Sequence, residues 1–259
     1  MTHYAAYLID LDGTIYRGQE QIPAAQRFIQ RLQDQHQEFA FLTNNTTKTP
    51  EQVVANLAQN HQIKVQPEQI ITPSLATAHY LQEQSLEPLG EKSCYIIGER
   101  GLKQALGDTG LKYNEFDPDY VVVGLDSDVT YHKFELATLA IKRGARFIGT
   151  NADTNLPNER GLVPGAGSLV SLVETTTQQR ATYIGKPERE IADYALNLKG
   201  WDRARTAIIG DNYHTDIQCG FKAGLDTILV YTGVSTPAEV QQMPTQPTYE
   251  IASLDDWNL

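Results

Sequence analysis

A short apolar segment near the start of the chain ends in two carboxylates. Residues 4–9 read Tyr-Ala-Ala-Tyr-Leu-Ile and are followed by Asp10-Leu11-Asp12-Gly13-Thr14. A short apolar run stopped in this way predicts a buried strand of a parallel sheet. Residues two apart on a strand point to the same side, so Asp10 and Asp12 begin on one face, and Gly13 permits a sharp turn after them. Clustered carboxylates repel each other unless a cation or a shared proton relieves them. The segment therefore predicts either a metal-assisted catalytic site or an ordinary Asp-Gly turn.

Three later segments share this design, in which an apolar strand is followed by polar side chains. They are Phe39–Asn45, Thr182–Pro187 and Ala207–Asp216. In the second of them, Lys186 comes just before a helix that we expect to begin at Pro187. Ligands of open α/β sheets bind at the carboxyl ends of the strands. The four polar clusters are expected at that end, where they would supply a nucleophile, metal ligands and hydrogen-bond donors for a phosphate group.

The order of the predicted elements indicates the fold class. Strands near 4–9 and 38–43 alternate with helices near 21–37 and 50–60, which predicts an α/β fold with a parallel sheet. A second α/β stretch follows, with further strands and helices expected at 94–98, 120–123, 131–142, 146–149 and 165–177. Strand–helix alternation resumes at Thr182. The pattern alone allows this middle stretch to be a separate domain or more of one large sheet.

Charge and cysteine content narrow the class of protein. The chain of 259 residues has 21 basic and 32 acidic residues, a formal charge of −11. Such acidity argues against nucleic acid or anionic membranes as general partners. Cys94 and Cys219 form no CxxC motif and indicate neither a disulfide framework nor a zinc site. The sequence also lacks a signal-peptide pattern and an apolar run of membrane-spanning length, so we expect a cytoplasmic protein.

The motifs DxDGT, TNN, GKP and GDxxxTD, in this order, resemble those of the haloacid dehalogenase (HAD) superfamily of phosphohydrolases. Segments 121–126, 147–153 and 164–168 resemble its NagD-like, p-nitrophenylphosphatase-like subfamily, which carries an inserted α/β cap of type IIA. The resemblance extends from Leu8 to about Gly233. It implies a Rossmann-like parallel sheet core at about 1–77 and 182–259, and an α/β cap domain at about 78–181.

The resemblance implies a Mg²⁺-dependent phosphatase that acts through an aspartyl-phosphate. Its expected substrates are small phosphomonoesters: sugar phosphates, nucleotide monophosphates and p-nitrophenyl phosphate. Asp10 would be the nucleophile and a metal ligand. Asp12 would be the acid/base and would bind the metal through its backbone carbonyl. Asp211 would be the side-chain metal ligand.

Other residues are expected around the phosphoryl group and the leaving group. The Thr43 hydroxyl, the Asn44 backbone N–H and Lys186 would hold the phosphoryl oxygens, and Asn212 would contact phosphate or a metal-bound water. Asp153 would contact the leaving group, with an Asx-turn as the alternative.

Two residues after the last strand allow more than one interpretation. Asp216 either orients a metal-bound water or Lys186 without binding the metal itself, or is simply a first-turn helix acid. His214 is interpreted as a local capping or surface residue rather than an acid/base.

Two other functions stay open at this point. A phosphomutase could use the same aspartyl-phosphate, and a non-catalytic sensor of phosphorylated metabolites could keep the fold. The expected partner is a small phosphorylated metabolite, with neither nucleic acid nor membrane. A homodimer through the cap is a further expectation from the resemblance.

Overall fold

The computed structural model describes residues 3–158 and 160–259. The strands are β1 (Ala6–Ile9), β2 (Tyr16–Arg17), β3 (Glu20–Gln21), β4 (Glu38–Leu42), β5 (Ile70–Ile71), β6 (Ser93–Ile97), β7 (Lys112–Tyr113), β8 (Tyr120–Val123), β9 (Arg146–Gly149), β10 (Asn155–Asn158), β11 (Gly161–Pro164), β12 (Thr182–Tyr183), β13 (Thr206–Gly210), β14 (Asp226–Val230) and β15 (Tyr249–Ile251). The helices are α1 (Pro23–Asp34), α2 (Pro50–His61), α3 (Pro73–Gln84), α4 (Arg100–Gly107), α5 (Tyr131–Lys142), α6 (Ala166–Thr177), α7 (Glu190–Lys199), α8 (Gln218–Ala223) and α9 (Pro237–Val240).

The chain divides into two compact units. The core unit comprises the segments Met1–Thr43, Pro50–Ile71 and Lys186–Leu259, and the insert unit comprises Asn44–Thr49 and Thr72–Gly185. Each unit has a parallel sheet of its own. The middle stretch is therefore a separate unit rather than an extension of one sheet.

The core unit is built on a sheet with the strand order β15-β14-β13-β1-β4-β5. All neighbouring strands in it are parallel, and Ile9 of β1 lies level with Ile209 of β13 and Phe41 of β4. Every residue of β1 and β13 is buried, as expected for central strands that are covered on both faces. The polar residues that follow β1, β4 and β13 thus leave the sheet at the carboxyl ends of three adjacent strands. The α/β fold class is confirmed.

The insert unit has a second parallel sheet, ordered β12-β9-β8-β6-β7, and an antiparallel hairpin of β10 and β11. Apolar side chains of the sheet pack with α5 and α6 in a buried core, which includes Val121, Ile141 and Val170. This unit can therefore bury an apolar core of its own.

The insert unit and the predicted insertion differ at both ends. The prediction placed approximate boundaries at 78–181, whereas the compact unit spans 72–185 together with the short segment Asn44–Thr49. At one end, α3 begins at Pro73 and runs through the predicted boundary without a break. At the other end, β12 pairs with β9, which places 182–185 in the insert unit.

The prediction of a helix that begins at Pro187 is wrong. Residues 186–189 form turns, and α7 begins at Glu190. The β2–β3 and β10–β11 hairpins have no counterpart among the predicted elements. Among the helices of the described residues, none combines the length and the apolar character that a bilayer span requires.

Candidate active site

Three buried carboxylates meet in the core unit. Asp10 follows β1, Asp211 follows β13, and Asp216 lies in the π-helical turn Tyr213–Ile217 that comes next. Carboxylate oxygens of the three residues lie within 4.8 Å of one another, and all three side chains are buried. The fold thus joins the first motif to both acids of the last one.

Lys186 is the cation of this cluster. Its Nζ donates hydrogen bonds to Asp10 Oδ1 at 2.5 Å and to Asp216 Oδ1 at 2.7 Å. A third hydrogen bond, of 2.8 Å, goes to the carbonyl oxygen of Leu42, the last residue of β4. The ammonium group has three protons, and these three acceptors can engage all of them. Lys186 therefore connects residues that follow or end three neighbouring strands.

The charge balance of the cluster is visible in its pKa values. Burial raises the pKa of Asp10 well above its usual range; Lys186 opposes this shift, and the charges of Asp216 and Asp211 add to it. Burial, and then the charge of Asp216, raises the pKa of Asp211 to about 6. For Lys186, burial lowers the pKa, but Asp10 and Asp216 outweigh that effect and raise it. Three carboxylates share one ammonium group, so full ionisation leaves negative charge uncompensated.

Asp211 is held by two glycine-containing segments. Its Oδ2 accepts a hydrogen bond from the Val234 N–H at 2.7 Å, and its Oδ1 accepts one from the Thr14 hydroxyl at 3.2 Å. A Cβ atom would lie 2.3 Å from Asp211 Oδ2 at position 13 and 1.9 Å from it at position 233. Gly13 also has a positive φ of 97°, which favours glycine. Both positions therefore require glycine so that the backbone can approach this carboxylate.

Asp216 uses both of its oxygens within the core unit. Oδ1 accepts from Lys186, and Oδ2 accepts from the Asn212 N–H at 3.0 Å. The Asn212 side chain accepts from the His214 N–H at 2.9 Å and so caps the π-helical turn. The His214 side chain is exposed. These contacts place Asp216 against Lys186 and give Asn212 a local structural role.

Asp12 lies in a different environment from Asp10. It is exposed, and its Oδ1 accepts a hydrogen bond from the Gly18 N–H at 3.1 Å, in the turn of the β2–β3 hairpin. Asp10 is instead buried against Lys186. Two carboxylates in such different surroundings can take different chemical roles.

The remaining predicted residues fall on either side of a unit boundary. Thr43 is buried in the core unit, and its N–H donates to Ile71 O at 3.1 Å. Asn44 belongs to the insert unit, where its Nδ2 donates to Asp153 Oδ2 at 3.0 Å. Asn151 donates from Nδ2 to Asn44 O at 2.9 Å and accepts the Asp153 N–H at 3.0 Å.

Several contributors to these contacts are absent from the sequence predictions. The Asx-turn in this loop is formed by Asn151, whose side-chain oxygen accepts the Asp153 N–H. In the sequence, the pair Thr150-Asn151 just ahead of Asp153 is the feature that could have indicated this turn. Backbone groups make the contacts of three further residues, Gly233, Val234 and Leu42. A sequence motif is a pattern of side chains and so does not indicate such contacts.

Comparisons with known proteins agree with this geometry. A family profile described as haloacid dehalogenase-like hydrolase matches residues 7–112, and a related HAD-like hydrolase profile matches 183–257. An acid sugar phosphatase of Staphylococcus epidermidis is 45% identical over 256 residues, which cover 98% of this chain and 97% of that protein. The 5'-nucleotidase YutF of Bacillus subtilis is 44% identical over 257 residues, with 99% and 98% coverage.

The fold has a matching crystal structure. A double mutant of the thermostable NPPase (p-nitrophenylphosphatase) of Geobacillus stearothermophilus is 46% identical, with a TM-score of 0.92 over 100% of this chain and 99% of that one. Identity at this level over the full length shows more than a shared fold. The chain therefore belongs to the haloacid dehalogenase-like hydrolases, in their NagD-like, p-nitrophenylphosphatase-like branch of phosphatases.

Proposed function

We propose that this chain is a Mg²⁺-dependent phosphatase that hydrolyses small phosphomonoesters through an aspartyl-phosphate at Asp10. The observation that carries the proposal is the buried cluster of Asp10, Asp211 and Asp216 on Lys186. A structural role would favour apolar residues here, because burying charge costs free energy. A catalyst of phosphoryl transfer instead needs a positioned anion with cationic charge around it.

The donor set of the cluster fits Mg²⁺. Carboxylate oxygens are the hard ligands that this ion prefers, and the raised pKa values of Asp10 and Asp211 reflect negative charge that Lys186 alone does not balance. Asp10, Asp211 and the backbone carbonyl of Asp12 would hold the ion. When bound, it supplies charge neutralisation at the phosphoryl oxygens.

The covalent steps fall to Asp10 and Asp12. The Asp10 carboxylate attacks phosphorus, and the bond from phosphorus to the leaving oxygen breaks. Asp12 gives its proton to that oxygen, so the alcohol leaves neutral. Asp12, now ionised, takes a proton from water as the water attacks phosphorus, which releases phosphate and restores the Asp10 carboxylate. The difference in exposure between the two carboxylates supports this division of roles.

The phosphoryl oxygens would be held by Thr43, the Asn44 N–H and Lys186. The contacts of Lys186 give it a second task, which is to keep Asp10 ionised for attack. Asn212 is proposed to contact phosphate or a metal-bound water, while its side-chain oxygen caps the π-helical turn.

The substrate class rests on the named relatives. An acid sugar phosphatase and a 5'-nucleotidase at similar identity support sugar phosphates and nucleoside monophosphates as candidate substrates. Asp153, held by Asn44 and Asn151, is the proposed contact to the leaving group. A cytoplasmic location, the absence of nucleic-acid and membrane partners, and a homodimer through the insert unit remain predictions.

The test compares wild type with Asp10→Asn in the hydrolysis of p-nitrophenyl phosphate, with Mg²⁺ and with EDTA. Asp117→Asn, at an exposed carboxylate, is the matched control for the chemical change. Wild type and the control should be active only with Mg²⁺, whereas Asp10→Asn should fold, as circular dichroism would show, and be inactive. Activity of Asp10→Asn would remove the covalent step, and full activity in EDTA would remove the metal. Release of inorganic phosphate from a sugar monophosphate separates hydrolysis from the phosphomutase alternative.

A further inference from the structure

His61, the last residue of α2, has a buried imidazole ring. Its side chain is 1% exposed, and neither ring nitrogen has a hydrogen-bond partner within residues 3–158 and 160–259. Burial lowers the pKa of His61, against the opposing effect of the Asp12 charge. A buried imidazole without partners costs free energy relative to an apolar ring of the same size. The role of this position has therefore to be sought in what the ring contacts.

The contact that His61 does make is with the β2–β3 hairpin. Its ring stacks on Tyr16, with ring centroids 4.3 Å apart and an angle of 13° between the planes. Beside the stack, Gln21 Nε2 donates to Asn60 O at 2.6 Å, and Gln26 Nε2 donates to His61 O at 2.8 Å. The end of α2 is thus the support on which the hairpin lies.

The hairpin in turn holds Asp12. The Tyr16 carbonyl accepts the Gly13 N–H at 2.6 Å, and the Gly18 N–H donates to Asp12 Oδ1 at 3.1 Å. The latter is a hydrogen bond to the Asp12 side chain itself. Because Gly18 lies in the hairpin turn, a displacement of the hairpin would move the donor that orients this carboxylate.

We infer that His61 is a positioning residue for Asp12: its ring supports Tyr16, and the hairpin that begins at Tyr16 orients the proton-donating carboxylate. The inference rests on the proposed function, in which Asp12 protonates the leaving group. It assigns His61 no contact with substrate or reacting atoms. The aromatic ring is the required feature, because the ring nitrogens have no partners among the described residues.

Leaving-group dependence separates positioning from a merely structural role. An alkoxide needs a proton as it leaves, whereas p-nitrophenolate leaves readily without one. The kinetic parameter to compare is kcat/KM, which reports the steps up to release of the alcohol and not the later attack of water. Misplacement of Asp12 should therefore lower kcat/KM for alkyl phosphates and leave that for p-nitrophenyl phosphate nearly unchanged. Loss of stability alone would lower both values together.

The experiment measures kcat/KM for glycerol phosphate and p-nitrophenyl phosphate in wild type, His61→Ala, His61→Phe and Leu57→Ala. Leu57 is also buried on α2 and serves as the control for a lost core side chain. We expect His61→Ala to lose roughly tenfold with glycerol phosphate and little with p-nitrophenyl phosphate, since small displacements at a reacting group cost about this much or more. His61→Phe should restore the ratio of the two values. Leu57→Ala should lower the Tm without changing the ratio.

Several outcomes would overturn the inference. They are an unchanged ratio in folded His61→Ala, the same change of ratio in Leu57→Ala, or no recovery in His61→Phe. Asp12→Asn in the same assay tests the underlying function separately. If Asp12→Asn changes the ratio and His61→Ala does not, positioning by His61 is wrong and the acid role stands. If Asp12→Asn leaves the ratio unchanged, the acid role itself is wrong.

Discussion

Lys186 supplies the positive charge that offsets the carboxylates of the proposed site, because it is the cation in the ion pairs with Asp10 and Asp216. Removing one partner of a buried ion pair leaves the other as an uncompensated charge, which costs more than the pair contributes. The contacts to Asp10 and Asp216 therefore link the proposed catalytic role and the stability of the protein in a single side chain.

Replacement of Lys186 by Met should affect both properties. We expect a loss of roughly 3–5 kcal/mol in the free energy of unfolding, as for other broken buried pairs. Activity should fall by about 100-fold or more, since a charge that stabilises the transition state is lost. Urea unfolding and p-nitrophenyl phosphate kinetics measure the two effects, and inhibition by inorganic phosphate should weaken as well.

Lys222→Met is the matched control for that replacement. Lys222 pairs with Glu188 at 2.7 Å in the same unit, but its side chain is 40% exposed. Its loss should cost less than about 1 kcal/mol and leave the kinetics unchanged. Equal effects of the two replacements would contradict the special role of Lys186.

At the residue scale, the sequence could predict the charged residues of the acidic cluster but not the backbone groups that support them. Asp10, Asp211 and Lys186 lie in motifs because their side-chain chemistry is specific. The supporting groups are the Leu42 carbonyl, which any residue could provide, and the Val234 N–H, which any residue except proline could provide. His61 also follows no motif, because its stack on Tyr16 depends on tertiary packing between α2 and the hairpin.

At the scale of elements, the loop after β9 is tied to the segment Asn44–Thr49 by side-chain amides. Asn151 donates one such hydrogen bond to the Asn44 carbonyl, and within the loop its side-chain oxygen accepts the Asp153 N–H. The Asp153 carboxylate is held in addition by Asn44. The loop therefore has a defined conformation where the leaving-group contact is proposed.

Asn151→Ala should loosen that loop. We expect a loss of about 1–3 kcal/mol in stability for its hydrogen bonds. If Asp153 contacts the leaving group, kcat/KM for a sugar phosphate should fall roughly tenfold, with a smaller change for p-nitrophenyl phosphate. Asn114→Ala is the control, because Asn114 makes similar turn contacts to the Phe116 and Asp117 N–H groups in the same unit. A parallel change in both variants would refute a role of the loop in substrate selection.

Predictability of the elements follows the strength of their patterns. The predicted bounds of β8, α5 and β9 match the structure, because the two strands are compact, mostly apolar segments and α5 is a helix of 12 residues. A strand of two residues is too short to show a periodic pattern. The sequence therefore predicts β12 as part of the core, whereas in the structure it pairs with β9. The β10–β11 hairpin is polar or exposed along most of its length and gives no burial pattern to detect.

At the scale of the whole molecule, stability and metal binding should depend on pH through the acidic cluster. The pKa of Asp211 is about 6 in the folded protein, against an ordinary value of 3.8. Between these values the folded protein keeps a proton that the unfolded chain has released. The free energy of unfolding therefore falls as pH rises through this window, by about 3 kcal/mol at most for a shift of this size. The raised pKa of Asp10 acts in the same direction.

Urea unfolding in EDTA across this pH range measures the effect. Wild type should become less stable from about pH 4 to about pH 6, and Asp211→Asn should show a weaker dependence. Added Mg²⁺ should stabilise the protein more strongly as pH rises, because the ion binds the ionised carboxylates. Wild-type stability that rises over this window in EDTA would show that the cluster carboxylates are not held protonated by burial.

The nucleophilic role of Asp10 is the central claim, and trapping the covalent intermediate tests it most directly. Wild type would be mixed with Mg²⁺ and p-nitrophenyl phosphate, quenched in cold acid during the first turnover, digested and analysed by mass spectrometry. We expect a phosphoryl group on Asp10, and none in Asp10→Asn treated in the same way. Release of p-nitrophenol with no phosphoryl group on Asp10, or with one on another residue, would contradict the account.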